Sequence, residues 1–87
     1  MQETITVIDC DKIIAPECYR VFNLGVKMIE KEFGVVIDCD IKIIAEHNQA
    51  VLTLISADAC EWYKDIRKRE TIIYKLSTHF KICMEQF

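Results

Sequence analysis

Glycine and proline are almost absent: Gly25, Gly34 and Pro16 are the only ones in 87 residues. That excludes a glycine-rich phosphate loop, a flexible linker and any low-complexity stretch. A single domain over residues 1–87, built from elements joined by tight connections, is the natural division. No apolar run approaches the roughly 18 residues that a transmembrane helix needs. The opening MQETITVIDCD carries acid where a signal peptide carries base, and it lacks a long apolar core. These absences set the expectation of a cytoplasmic protein with no membrane association. Histidine is scarce as well. His47 and His79 have no acid, cysteine or second histidine at metal-ligand spacing, and no serine sits in a nucleophile elbow. No catalytic residue, cofactor or metal ligand is therefore assigned. A cysteine–histidine pair that meets in space is the one arrangement that spacing leaves open.

Cysteine, by contrast, is plentiful. Cys10, Cys18, Cys39, Cys60 and Cys83 are odd in number and spread out, with no CxxC pair. A secreted disulfide framework favours an even count, and a zinc site favours close pairs. Free thiols used as small core hydrophobes are the expectation. The net charge of −3 is unevenly placed. Residues 1–57 hold nine acids and five bases, whereas residues 58–87 hold five acids and six bases. The acidity belongs to the first part of the chain, and the last segment is mildly basic.

Periodicity supplies the elements. Residues 4–8 (TITVI) are rich in β-branched side chains and read as a strand. Pro16 suits the first turn of a helix. After it, Cys18, Phe22, Val26, Ile29 and Phe33 recur at helical spacing, opposite Glu17, Arg20, Lys27 and Lys31. Gly34 closes that helix as a left-handed cap. A second strand alternates strictly. Ile37, Cys39, Ile41, Ile43 and Ala45 face one way, and Asp38, Asp40, Lys42, Ile44 and Glu46 face the other. His47, Asn48 and Gln49 make a turn, and residues 51–55 (VLTLI) return as a third strand in a hairpin.

Ser56 or Asp58 then caps a second helix, with Asp58 and Glu61 spaced as a capping box. Ala59, Trp62, Ile66, Arg69, Ile73, Leu76, Phe80, Cys83 and Phe87 make a seam at 3–4 spacing. Read literally, this is one helix to the C-terminus, longer than the sheet beneath it. The strand-favouring residues 71–74 (TIIY) offer an alternative: a break there, with a fourth strand completing a ferredoxin-like fold. The fold class is thus α+β, β-α-β-β-α, a three-stranded sheet with two helices packed on one face.

Three patterns bear on chemistry. VIDCDKIIA over residues 7–15 nearly repeats as VIDCDIKIIA over residues 36–45. The second halves, PECYRVFNLG and EWYKDIRKRE, do not match, so duplication is not supported. The first copy resembles the opening motif of haloacid-dehalogenase-like phosphatases, a hydrophobic strand followed by Asp-x-Asp. That likeness would make Asp9 a nucleophile, Asp11 an acid and the pair a magnesium site. It covers five residues, and the family's doubly wound sheet and glycine-rich phosphate loop are missing. Short acids at a strand end also bend the chain by bonding their own backbone, which accounts for the same residues. Finally, Lys64, Lys68, Lys75 and His79 fall on one stripe of the last helix, with Arg67 beside them. A basic stripe can track phosphates. Asp65, Glu61 and Glu70 lie among these bases, which favours a solvated face.

The order and length of the elements is similar to the DinI family, small regulators of the recombinase filament in the DNA-damage response. The likeness is topological, and that family's acidic final helix corresponds here to a mildly basic one.

Apolar surface remains. Val51, Thr53 and Ile55 lie on one face of the third strand and Leu52 and Leu54 on the other, while Ile44 adds to the back of the second. Two helices on one face leave the other bare. The seam's last members add Ile73, Phe80, Met84 and Phe87 as candidate contact residues. The expectation is a non-enzymatic protein-interaction or regulatory module, homodimeric and with a protein partner. A nucleic-acid-associated regulator using Lys64, Lys68 and Lys75 is the alternative.

Overall fold

The computed structural model describes residues 2–9 and 14–86. β1 (Gln2–Asp9) leads to α1 (Pro16–Phe33), β2 (Asp40–Glu46) and β3 (Gln49–Ile55). A single 3-10 turn (Ala57–Ala59), a one-turn α2 (Glu61–Lys64) and a long α3 (Ile66–Gln86) complete the chain. The sheet order is β1-β3-β2 and both pairings are antiparallel. The fold is the expected α+β arrangement of a three-stranded sheet with its two long helices on one face. No helix among the described residues is long and apolar enough to cross a membrane.

The start and end of α1 follow from its sequence. Pro16 opens it, where a missing N–H costs nothing, and Glu17 and Lys31 match the helix dipole. Gly34 ends it at φ 63°, a left-handed conformation that glycine enters freely, and its N–H bonds the Glu30 carbonyl.

β2 begins later than its alternation implies. The expected strand starts near Ile37, but regular pairing starts at Asp40, opposite Ile55. The next residue of the partner strand, Ser56, has φ 62° and turns the chain away. Residues before Asp40 therefore have no ladder to join. Their donors go elsewhere: the Val35 N–H bonds the Glu30 carbonyl and the Ile37 N–H bonds Glu30 Oε2 at 2.8 Å. The alternation in burial survives, with Ile37 buried and Asp38 exposed.

The β2–β3 hairpin forms as expected, over a two-residue turn. Glu46 pairs with Gln49, and His47 and Asn48 both have positive φ, as the tightest hairpin turn requires. β3 is central, and its Ala50, Leu52 and Leu54 are buried beneath the helices.

The last segment departs from both readings of the sequence. It is neither one helix nor a helix followed by a fourth strand. The break comes at Asp65, which is extended, and residues 71–74 lie inside α3. Asp65 Oδ1 accepts from the Arg67 and Lys68 N–H groups at 3.1 and 3.2 Å, capping α3. The expected Ser56 cap does not form. Ser56 makes no side-chain capping bond, and Cys60 stands at the α2 N-cap.

The break re-phases the seam. Ile66 is left 61% exposed, and the buried stripe of α3 runs Ile72, Leu76, Phe80, Cys83, Met84. Arg69, the seam's one polar member, lies with its guanidinium 4.8 Å from the centre of the Tyr63 ring. Its Nη1 bonds the Tyr63 carbonyl at 3.3 Å, while the Tyr63 hydroxyl donates to Glu3 Oε2 at 3.0 Å. Glu3, Tyr63 and Arg69 thereby tie β1, α2 and α3 together.

Candidate functional site

Residue pairing places the side chains of the sheet. Because β3 buries its even-numbered residues, its odd-numbered ones face away from the helices. Directly opposite residues share a face. Val51 pairs with Ile44, Thr53 with Lys42 and Thr4, and Ile55 with Asp40 and Gln2. The outer face thus carries Ile44, Val51, Ile55, Thr53 and Thr4, all β-branched, with Lys42 and Asp40 along one side. Ile44 is 43% exposed, and Val51, Thr53 and Ile55 are half-buried with no helix above them. β-Branched residues on a flat pleat are what sheet-on-sheet contacts use.

The helix residues expected to meet a partner lie elsewhere. Phe80 is fully buried and Met84 is 3% exposed. Phe80 packs edge to face on Phe22, and the Met84 sulfur is 3.7 Å from the Cys18 thiol. Ile73 is half-buried against the core, and Phe87 lies outside the described residues. The end of the helix does not overhang, because α1 lies beside α3 and takes up the seam that the sheet alone would leave uncovered.

The basic stripe is not continuous. Lys64 belongs to α2, before the break, and its Nζ is 3.2 Å from Glu61 Oε1. Lys68 borders a cleft with Asp38, Glu61 and Asp65, and Lys75 Nζ lies 4.0 Å from Glu32 Oε1. His79 points inward and stacks on Phe22 with ring centres 5.6 Å apart.

His79 also realises the open possibility of a cysteine–histidine pair. Cys83 Sγ is 3.7 Å from His79 Nε2. That nitrogen is also 3.3 Å from the Val21 carbonyl oxygen, and Cys83 is fully buried. Burial pushes the Cys83 thiol above its ordinary range, with a smaller contribution from Cys18. A reactive thiolate needs the opposite environment, electropositive and accessible. The contact fills the space between α1 and α3.

Among the described residues, no group of three or more His, Cys, Asp or Glu is placed to hold a metal. Asp38 and Asp40 are both exposed, and Asp11 lies outside the described residues. The first copy of the near-repeat falls partly outside them too. A cleft of about 650 Å³ lies between residues 34–38 and 59–68. Trp62 lines it, and the indole N–H of Trp62 is buried without a hydrogen-bond partner.

The sequence reading overlooked Leu24 and Met28, one turn apart and exposed on α1. Their i, i+4 spacing was the available signal. Comparison with protein-family models, with curated proteins and with solved structures finds no match to this chain.

Proposed function

We propose that this chain is a small, non-enzymatic interaction module, cytoplasmic, that associates with a second copy of itself through the outer face of its sheet. One observation carries the reading. Both long helices cover the same face, and the other face presents Ile44, Val51 and Ile55 without cover. Apolar side chains that gather on one flat surface gain by leaving water together. A two-fold pairing of identical faces is the commonest solution.

The size of the face sets the strength. Strands of seven residues, spaced about 4.8 Å apart, make a face on the order of 350 Å². Durable interfaces bury about 800 Å² per partner. Self-association is therefore weak, micromolar or looser, and suits a regulated contact rather than a permanent dimer. Sedimentation equilibrium over a wide concentration range tests this. The apparent mass should rise from 10.2 kDa towards twice that value, and Val51→Lys should hold it at the monomer. A wild-type mass that stays monomeric at millimolar concentration would refute self-association. Retention on DNA that falls with salt and depends on Lys64, Lys68 and Lys75 would instead support the nucleic-acid reading.

A further inference from the structure

The described thiols fall into two neighbourhoods. Cys18 and Cys83 are fully buried between α1 and α3. Cys39 and Cys60 lie at an end of the sheet, where Cys39 leads into β2 and Cys60 joins the 3-10 turn to α2. Cys60 Sγ donates to the Asp38 carbonyl at 3.0 Å. That oxygen belongs to the peptide bond leading into Cys39. Across a planar trans peptide it lies roughly 3 Å from the Cys39 Cα, so the Cys60 sulfur comes within roughly 6 Å of that Cα.

We propose that Cys39 and Cys60 form a redox-modification site that closes to an intrachain disulfide when the protein meets a low-molecular-weight disulfide such as oxidised glutathione. The exchange balances without any other reactant. One protein thiol, after losing its proton, attacks a sulfur of the small disulfide, forms a mixed disulfide and expels one small thiolate. The second protein thiol, likewise deprotonated, attacks the protein sulfur of that mixed disulfide and expels the other. Cys39 and Cys60 are oxidised by two electrons, the small disulfide is reduced to two thiols, and those thiols take up the two protons.

Two features favour this pair. Neither residue lies inside a helix or a strand ladder: Cys39 is at a bend and Cys60 has extended backbone between two helical turns. The ångström-scale adjustment that disulfide geometry demands therefore leaves the strand ladder and both long helices untouched. Cys39 is half-buried and borders a cleft of about 460 Å³ beside Asn23, Val26 and Lys27, which gives a small disulfide an approach. Burial, then Cys60, Asp40 and Asp38, push the Cys39 thiol up to about 12, which slows its attack on the small disulfide and makes the closure slow at neutral pH. The bond closes a ring that contains the whole β2–β3 hairpin and pins its open end to α2. A link of that span restricts the unfolded chain, so the oxidised protein melts at a higher temperature.

The test treats the native, reduced protein with oxidised glutathione, alkylates remaining thiols, and reads intact mass and peptide maps. The expected product is monomeric, is lighter by the two lost hydrogens, and yields a peptide linking Cys39 to Cys60. Cys60→Ser should stop at the mixed disulfide on Cys39 and show no gain in melting temperature. Recovery of unlinked protein, or a link joining Cys18 to Cys83 or involving Cys10, would overturn the assignment. The wild-type peptide map decides the matter even if a variant folds poorly.

Discussion

The Phe80 ring on α3 meets the Phe22 ring on α1 edge to face, with centroids 5.6 Å apart and 69° between the planes. This contact turns the apolar end of the chain into core. Both rings are essentially inaccessible to water, so the aromatic spacing near the C-terminus serves the inside of one subunit. Phe80→Ala should cost about 3–5 kcal/mol in urea unfolding, a large part of what so small a domain possesses. A loss below about 1 kcal/mol would mean that the ring is not packed as described.

Gly25 and His79 are coupled by space. A Cβ at Gly25 would fall on the imidazole ring of His79, because α1 and α3 approach each other there. Gly25→Ala should therefore destabilise by about 1–3 kcal/mol, although alanine is the better helix former. In a His79→Ala background the sign should reverse, with a gain of up to about 1 kcal/mol. Denaturation of the four chains in the double-mutant cycle measures this directly. A Gly25→Ala effect that is the same in both backgrounds would contradict the close approach.

Asp65 both ends α2 and starts α3. Removing its carboxylate leaves the Arg67 and Lys68 N–H groups without that partner. Asp65→Ala should lower stability by about 1 kcal/mol, and Asp65→Asn should keep most of that stability. Thermal unfolding compared across the three chains checks the order.

Alkali should weaken the fold through Cys39. Its thiol titrates at about 12 in the folded chain against an ordinary 9.0. Burial is the main cause, followed by the neighbouring Cys60 and the carboxylates of Asp40 and Asp38. The folded state holds this proton after the unfolded state has lost it, so unfolding releases a proton between those values. The associated stability is complete below pH 9 and is lost as the pH rises from 9 towards 12. In reductant, the urea midpoint of the wild type should fall more steeply over that window than that of Cys39→Ser. Parallel curves would contradict the shifted thiol.

Much of this fold is local enough to read from residues. Pro16 and Gly34 mark the ends of α1, and the alternation from Ile37 to Ala45 assigns the faces of β2 correctly. The turn follows from the polar His47, Asn48 and Gln49 between apolar runs, although Gln49 itself already pairs within β3. What escaped depends on contacts distant in sequence. The late start of β2 is set by Ser56, which ends the partner strand sixteen residues further on. The burial of Phe80 and Met84 is set by α1, and periodicity within α3 cannot say which surface its apolar stripe meets. The Asp65 break was visible as a capping residue but lay hidden inside a seam that looked continuous. The outer sheet face was legible for the opposite reason, since strand alternation alone dictates that Val51, Ile55 and Ile44 point away from Leu52 and Leu54.

The central claim is that copies of this chain meet through that outer face, and a dilution series of backbone amide spectra tests it most directly. Between dilute and concentrated samples, the amides of Ile44, Val51, Thr53 and Ile55 should shift together along one binding curve, with micromolar or weaker affinity. The exposed helix residues Leu24, Met28, Lys68 and Lys75 should stay in place. Spectra that do not change with concentration, or shifts confined to α1 and α3, would contradict the account.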